Sequence, residues 1–155
     1  MHPHTPPLLP VGRLVLALAI SVLAGHATAG ETCELTGPSP TGGSTAAGTG
    51  AIACGIDNVA AGLDSSALGV FNRAEGTSSN AYGSLNVSSG QRSSAVGFLN
   101  TASGGQSSAH GHGNTASGFD SAAHGTSNLA NAARSSAIGV FNTASGQESS
   151  ALGYR

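Results

Sequence analysis

The chain contains no lysine and no tryptophan, one methionine, two cysteines, and only 8 % charged and 4 % aromatic residues in 155. Five isolated arginines stand against seven acidic residues, for a formal net charge of −2. With no basic patch to hold phosphates, nucleic acid is a poor candidate partner. The cysteines form no CxxC pair and no Cys/His ligand spacing, so no metal centre is expected from them. A GxSxG elbow is missing, and no histidine or aspartate keeps a fixed spacing to any one serine, which argues against a hydrolase. The nonapeptide GGxGxD is also missing, which disfavours a calcium-binding roll. These absences leave no candidate catalytic residue and no expected cofactor.

Long hydrophobic runs are equally scarce. The one such run, "LVLALAISVLA" at 14–24, follows Arg13 and precedes Ala27-Thr28-Ala29. It falls short of the roughly 20 apolar residues a membrane-spanning helix needs. The pattern is that of a secretory signal over residues 1–29, and His26 stands where a lipidated cysteine would be. The mature chain then has no membrane-spanning segment, and the protein is exported.

What the sequence does have is a period of fourteen. Ala-x-Gly recurs at Ala53/Gly55, Ala67/Gly69, Ala81/Gly83, Ala95/Gly97, Ala109/Gly111, Ala123/Gly125, Ala137/Gly139 and Ala151/Gly153. An asparagine follows three residues after each of the first seven glycines, from Asn58 to Asn142. So strict a register marks a repeat array over residues 44–155, after an N-terminal linker at 30–43. Fourteen residues are too few for a two-helix repeat, and frequent Gly and Asn weaken any helix. Two strands of about five residues and two tight turns use the same length. The expected fold is all-β, a parallel β-solenoid of about eight 14-residue coils, roughly 35–40 Å long.

In such a coil Gly69, Gly83, Gly97 and Gly139, with Asn72, Asn86, Asn100 and Asn142, are read as corner residues, supplying positive φ and side-chain-to-backbone bonds. "TASG" at 101–104, 115–118 and 143–146 marks the second corner. The alanine columns through Ala67 and Ala74 fit a thin interior. Period-two alternation then turns the neighbouring column outward: Cys54, Leu68, Tyr82, Val96, His110, His124, Ile138 and Leu152. Val70, Phe98 and Val140 extend that face. A stripe of this length exceeds the apolar patch a monomer ordinarily exposes, so it calls for a partner.

The repeat "SSAVGFLNTASG" at 93–104 resembles the head repeats of YadA-type trimeric autotransporter adhesins, and the resemblance runs over about residues 44–155. It implies a left-handed parallel β-roll and a homotrimer whose core column is Leu68, Tyr82, Val96, Ile138 and Leu152. It also implies a non-enzymatic surface adhesin head, exposed at a bacterial outer membrane or secreted, attaching multivalently to extracellular matrix, host cells or other surfaces. The chain departs from the family in lacking a stalk and membrane barrel before Arg155, and in carrying a cysteine pair. Export makes a Cys33–Cys54 disulfide tying the leader to the first coil one reading, and the other is an unbridged Cys54 in the apolar column, where three copies would meet at the axis. His110 and His124, one coil apart in the aliphatic column, form a polar layer that three chains would turn into six imidazoles, a candidate anion or metal layer. Two alternatives stay open: a monomeric solenoid binding ice or glycan through Ser/Asn ladders with its aliphatic column inward, and a truncated remnant of a longer adhesin gene. "NVS" at 86–88 matches a glycosylation acceptor but is read as an ordinary corner asparagine.

Overall fold

The computed structural model describes residues 31–33 and 43–155. The expected signal at 1–29 and the leader residues 34–42 lie outside them. The described residues are strands and turns without a helix. After β1 (Glu31–Cys33) come eight coils, each with one short and one long strand. The short strands are β2 (Thr45–Ala46), β4 (Val59–Ala60), β6 (Arg73–Ala74), β8 (Val87–Ser88), β10 (Thr101–Ala102), β12 (Thr115–Ala116), β14 (Leu129–Ala130) and β16 (Thr143–Ala144). The long strands are β3 (Ile52–Ile56), β5 (Ser66–Val70), β7 (Asn80–Ser84), β9 (Ser94–Phe98), β11 (Ser108–His112), β13 (Ala122–Thr126), β15 (Ser136–Val140) and β17 (Ser150–Tyr154). Long strands pair in parallel with long, and short with short, always in 14-residue register. The fold is therefore a parallel β-solenoid of eight coils. The second strand has two residues rather than five, because the chain bends into its corner immediately after each inward alanine.

Alternation along the long strand explains which side chains fill the tube. The alanines of the Ala67 column from Ala53 to Ala137 face inward and are completely buried, the short-strand alanines through Ala74 are buried as well, and Ala151 of the last coil is partly buried. The interior holds two further columns, the asparagines Asn58 to Asn142 and the serines Ser65 to Ser135, nearly all without solvent exposure. A coil that buries two alanine methyls gains only about 1–2 kcal/mol from apolar area. Hydrogen bonding between coils must carry much of the cohesion.

The asparagine ladder does this. Asn86 Nδ2 donates to Tyr82 O at 2.9 Å and to Gly97 O of the next coil at 2.7 Å. Its Oδ1 accepts from Asn100 N and Asn100 Nδ2, both at 3.0 Å. The same bonds recur along the column. Ser44 ends the ladder at the N-terminal side: its hydroxyl donates to Gly55 O at 2.9 Å and accepts from Asn58 N at 3.1 Å. The asparagines thus make the expected side-chain-to-backbone bonds, but the expectation of positive φ at them fails. The left-handed residue is the one before each asparagine, for example Phe71 at φ 56° and Leu85 at φ 58°. In that conformation the following side chain is turned into the tube, where the ladder needs it.

Gly69 and its equivalents do take positive φ, 119° at Gly69, yet they lie inside the long strands rather than in a corner. A Cβ at Gly69 would come within 2.0 Å of Gly83 O, so both the backbone angle and the close coil stacking require glycine there. The second corner is a turn over residues 104–107 and its equivalents. Ser107 N donates to Gly104 O at 3.2 Å, and Gln106 holds the left-handed position at φ 59°.

The two ends differ. β1 lies parallel beside β3 and extends the long-strand sheet by one strand at its N-terminal side. Among the described residues nothing pairs with the far edges of β16 and β17.

Candidate functional site

A β-strand that turns Ala67 inward must turn Ser66, Leu68 and Val70 outward. Leu68 and Ile138 are 37 % and 40 % exposed and Leu152 is 69 % exposed, while Tyr82 and Val96 are half-buried by their neighbours in the column. The outward column read from alternation is thus on the surface of the single chain. The next outward column, Ile56, Val70, Phe98, Val140 and Tyr154, stands beside it on the same strands.

A third apolar column went unread in the sequence. The left-handed residue before each asparagine is Phe71, Leu85, Leu99 or Phe141 in four coils, and Asp57, Gly113 or Ser127 in the other three. The four large residues are all about half exposed. The signal in the sequence is "VFN", "SLN" and "FLN", a large apolar residue before the asparagine in four of the seven coils. Bulky residues pay a strain cost at positive φ that Gly, Asn or Asp largely avoid. Four such residues, strained and solvent-facing, add nothing to the turn itself. Together the three columns make one apolar face that runs over the long-strand sheet and its first corner. The second corner is different, with Leu63 and Phe119 exposed among Thr49, Thr77, Gln91 and Gln147.

The face is interrupted by histidine. His110 and His124 are in register on β11 and β13, with rings stacked at 4.9 Å and 15° from parallel. Ser108 Oγ lies 3.3 Å from His110 Nε2 and 3.0 Å from His124 Nε2, and Ser94 Oγ lies 3.3 Å from His110 Nε2. Burial first, and the neighbouring His124 second, hold the His110 pKa below its ordinary 6.5. His112 does not join them. It stacks on Phe98 with ring centres 5.4 Å apart, and no three His, Cys, Asp or Glu side chains among the described residues are placed to share a metal ion.

Cys33 of β1 and Cys54 of β3 are in-register partners of the parallel pair. The side chain of Cys33 lies outside the described residues. Asn86 of the "NVS" triplet is fully buried in the ladder, which closes it to glycosylation in the folded chain. Ser65 and its equivalents are interior, so the serine pairs present only their second member to solvent. Among the described residues no helix is long and apolar enough to cross a membrane.

A comparison with curated proteins finds no match. A family model, the YadA head domain repeat, matches residues 60–85, 88–114, 116–142 and 130–155, which is more than half of the chain. Head repeats of this kind are adhesin-type modules of trimeric autotransporters, attachment domains rather than enzymes, exposed at bacterial surfaces. With their 14-residue register written into every coil, residues 60–155 place this chain in the YadA head-repeat family.

Proposed function

We propose that the chain is a non-enzymatic adhesin head that assembles as a homotrimer through its apolar face and attaches to extracellular matrix, host cells or other surfaces through what the trimer leaves exposed. One observation carries this reading: the exposed large apolar side chains Leu68, Phe71, Leu85, Phe98, Leu99, Ile138 and Phe141 gather on one face of a thin rod. In a family of trimeric adhesins, two further copies are the natural cover. Repetition suits attachment, since many coils in three chains multiply weak contacts. Export through the N-terminal signal places the head at the bacterial surface or outside the cell, and an oxidising compartment joins Cys33 to Cys54 across the in-register β1–β3 pair. The inward-column alternative, a monomeric ice- or glycan-binding solenoid, loses its premise: the interior is filled by Ala, Asn and Ser, and the aliphatic column is outside.

Light scattering on the purified chain tests the assembly. The expected mass is that of three chains, and Leu68→Asp/Ile138→Asp should return it to one. A parent chain that is monomeric throughout the micromolar range would overturn the homotrimer.

A further inference from the structure

The outward column turns to imidazole at one place. Where Leu68, Val96, Ile138 and Leu152 stand in other coils, β11 and β13 present His110 and His124 side by side. Their Nε2 atoms converge on one hydroxyl, Ser108 Oγ, at 3.3 and 3.0 Å. Ser94 supports the first ring from the preceding coil. In the following coil the equivalent residue is Ala122, so Ser108 alone sits between the two imidazoles. The two ion pairs among the described residues, Arg73–Glu75 and Arg134–Glu148, belong to other columns.

We propose that His110 and His124 form a two-imidazole site for a divalent transition cation of the Zn²⁺, Ni²⁺ and Cu²⁺ class, centred near the point now held by the Ser108 hydroxyl. Imidazole nitrogen suits these ions above the harder Mg²⁺ and Ca²⁺. A Zn–N bond is about 2.0–2.1 Å, so each ring closes by about 1 Å from its present distance to that point. Ligation also requires the two rings, now stacked 15° from parallel, to unstack and turn about χ1 and χ2 so that their in-plane lone pairs meet at the ion, and their place on the outer face of the sheet leaves room for that turn. Ser108 Oγ gives up that point to the ion by rotation about χ1. Metal binding needs unprotonated rings, and the environment that lowers the His110 pKa favours that form at neutral pH. The same preference argues against an anion held by a doubly protonated pair. The site is built by one chain and does not rest on the assembly proposed above.

The test titrates the full, unsubstituted chain with Zn²⁺ at neutral pH and follows the imidazole nitrogens in long-range ¹H–¹⁵N spectra. The Nε2 signals of His110 and His124 should move together at sub-millimolar zinc while His112 stays still. Calorimetry with Ni²⁺ should show binding weakened about tenfold or more in His110→Gln and in His124→Gln, with His112→Gln close to the parent. Shifts confined to His2, His4, His26 or His112, or parent-like nickel affinity in both Gln variants, would overturn the site. The spectra use the parent chain, so the outcome stands even where a variant fails to fold.

Discussion

Buried polar residues at equivalent depth in this tube have unequal consequences. Asn86 donates to Tyr82 O of its own coil and Gly97 O of the next, and accepts from Asn100 N and Nδ2, all in the interior. Asn86→Ala leaves those partners unpaired, and a loss of about 2–4 kcal/mol is expected in denaturant unfolding. Ser79, by contrast, buries a hydroxyl with no partner, in a column where the first coil already carries Ala51. Ser79→Ala should leave stability unchanged or raise it, and a loss of more than about 1 kcal/mol would contradict that account. Phe71 tests strain against contact: Phe71→Gly relieves the left-handed backbone and should stabilise the isolated coil stack by about 1 kcal/mol. The same change should weaken self-association, so the two assays move in opposite directions. His110 sets a pH response. Its folded pKa lies below 6.5, so the folded chain binds fewer protons than the unfolded one as pH falls through that value. The stability it supports is fully present above about pH 6.5, declines as pH drops toward the folded pKa, and levels off below it. Thermal melts at pH 7.5 and 5.5 should show the decline in the parent and a smaller one in His110→Gln.

At the scale of strands and corners, the sequence was legible where the period alone decides and opaque where a neighbouring coil decides. Eight Ala-x-Gly copies led directly to the solenoid, its 14-residue register and the inward alanines, because alternation is a local rule. Taken singly, asparagines favour turns, which points to corner residues. Their burial follows only from the carboxamide of the coil before and the carbonyl of the coil after. The glycines do carry the expected positive φ, but inside the long strands, where the carbonyl of the next coil, 2.0 Å from an added Cβ at Gly69, adds a second constraint that no single coil reveals. The apolar corner column escaped for the converse reason: Phe71 and Leu99 contradict turn propensity, and their meaning lies in what covers them. β1 brings its own prediction. Its register with β3 puts Cys33 beside Cys54, and a Cα separation near the strand spacing of about 4.8 Å lies within the range a disulfide spans. Chain purified without reductant should resist thiol alkylation and show the mass of a dithiol less two hydrogens, and two readily alkylated thiols would refute the bridge.

For the molecule as a whole, stability is close to a sum over coils and the junctions between them, since each coil touches only its neighbours. The capped side, with β1 and Ser44, should open last, and hydrogen exchange should spread inward from β16 and β17. The ladder has one more consequence. Because every rung from Asn58 to Asn142 is Asn to Asn across fourteen residues, removing residues 87–100 rejoins Asn86 to the chain at Thr101, and Asn114 inherits the place of Asn100. The shortened rod keeps every face in line and is less tall by one graduation of about 4.8 Å. A deletion of thirteen or fifteen residues would instead turn inward residues outward from that point on. Length in this protein is therefore quantised: the gene can lengthen or shorten its reach in whole coils without redesigning any surface, as a ruler is cut only at its marks.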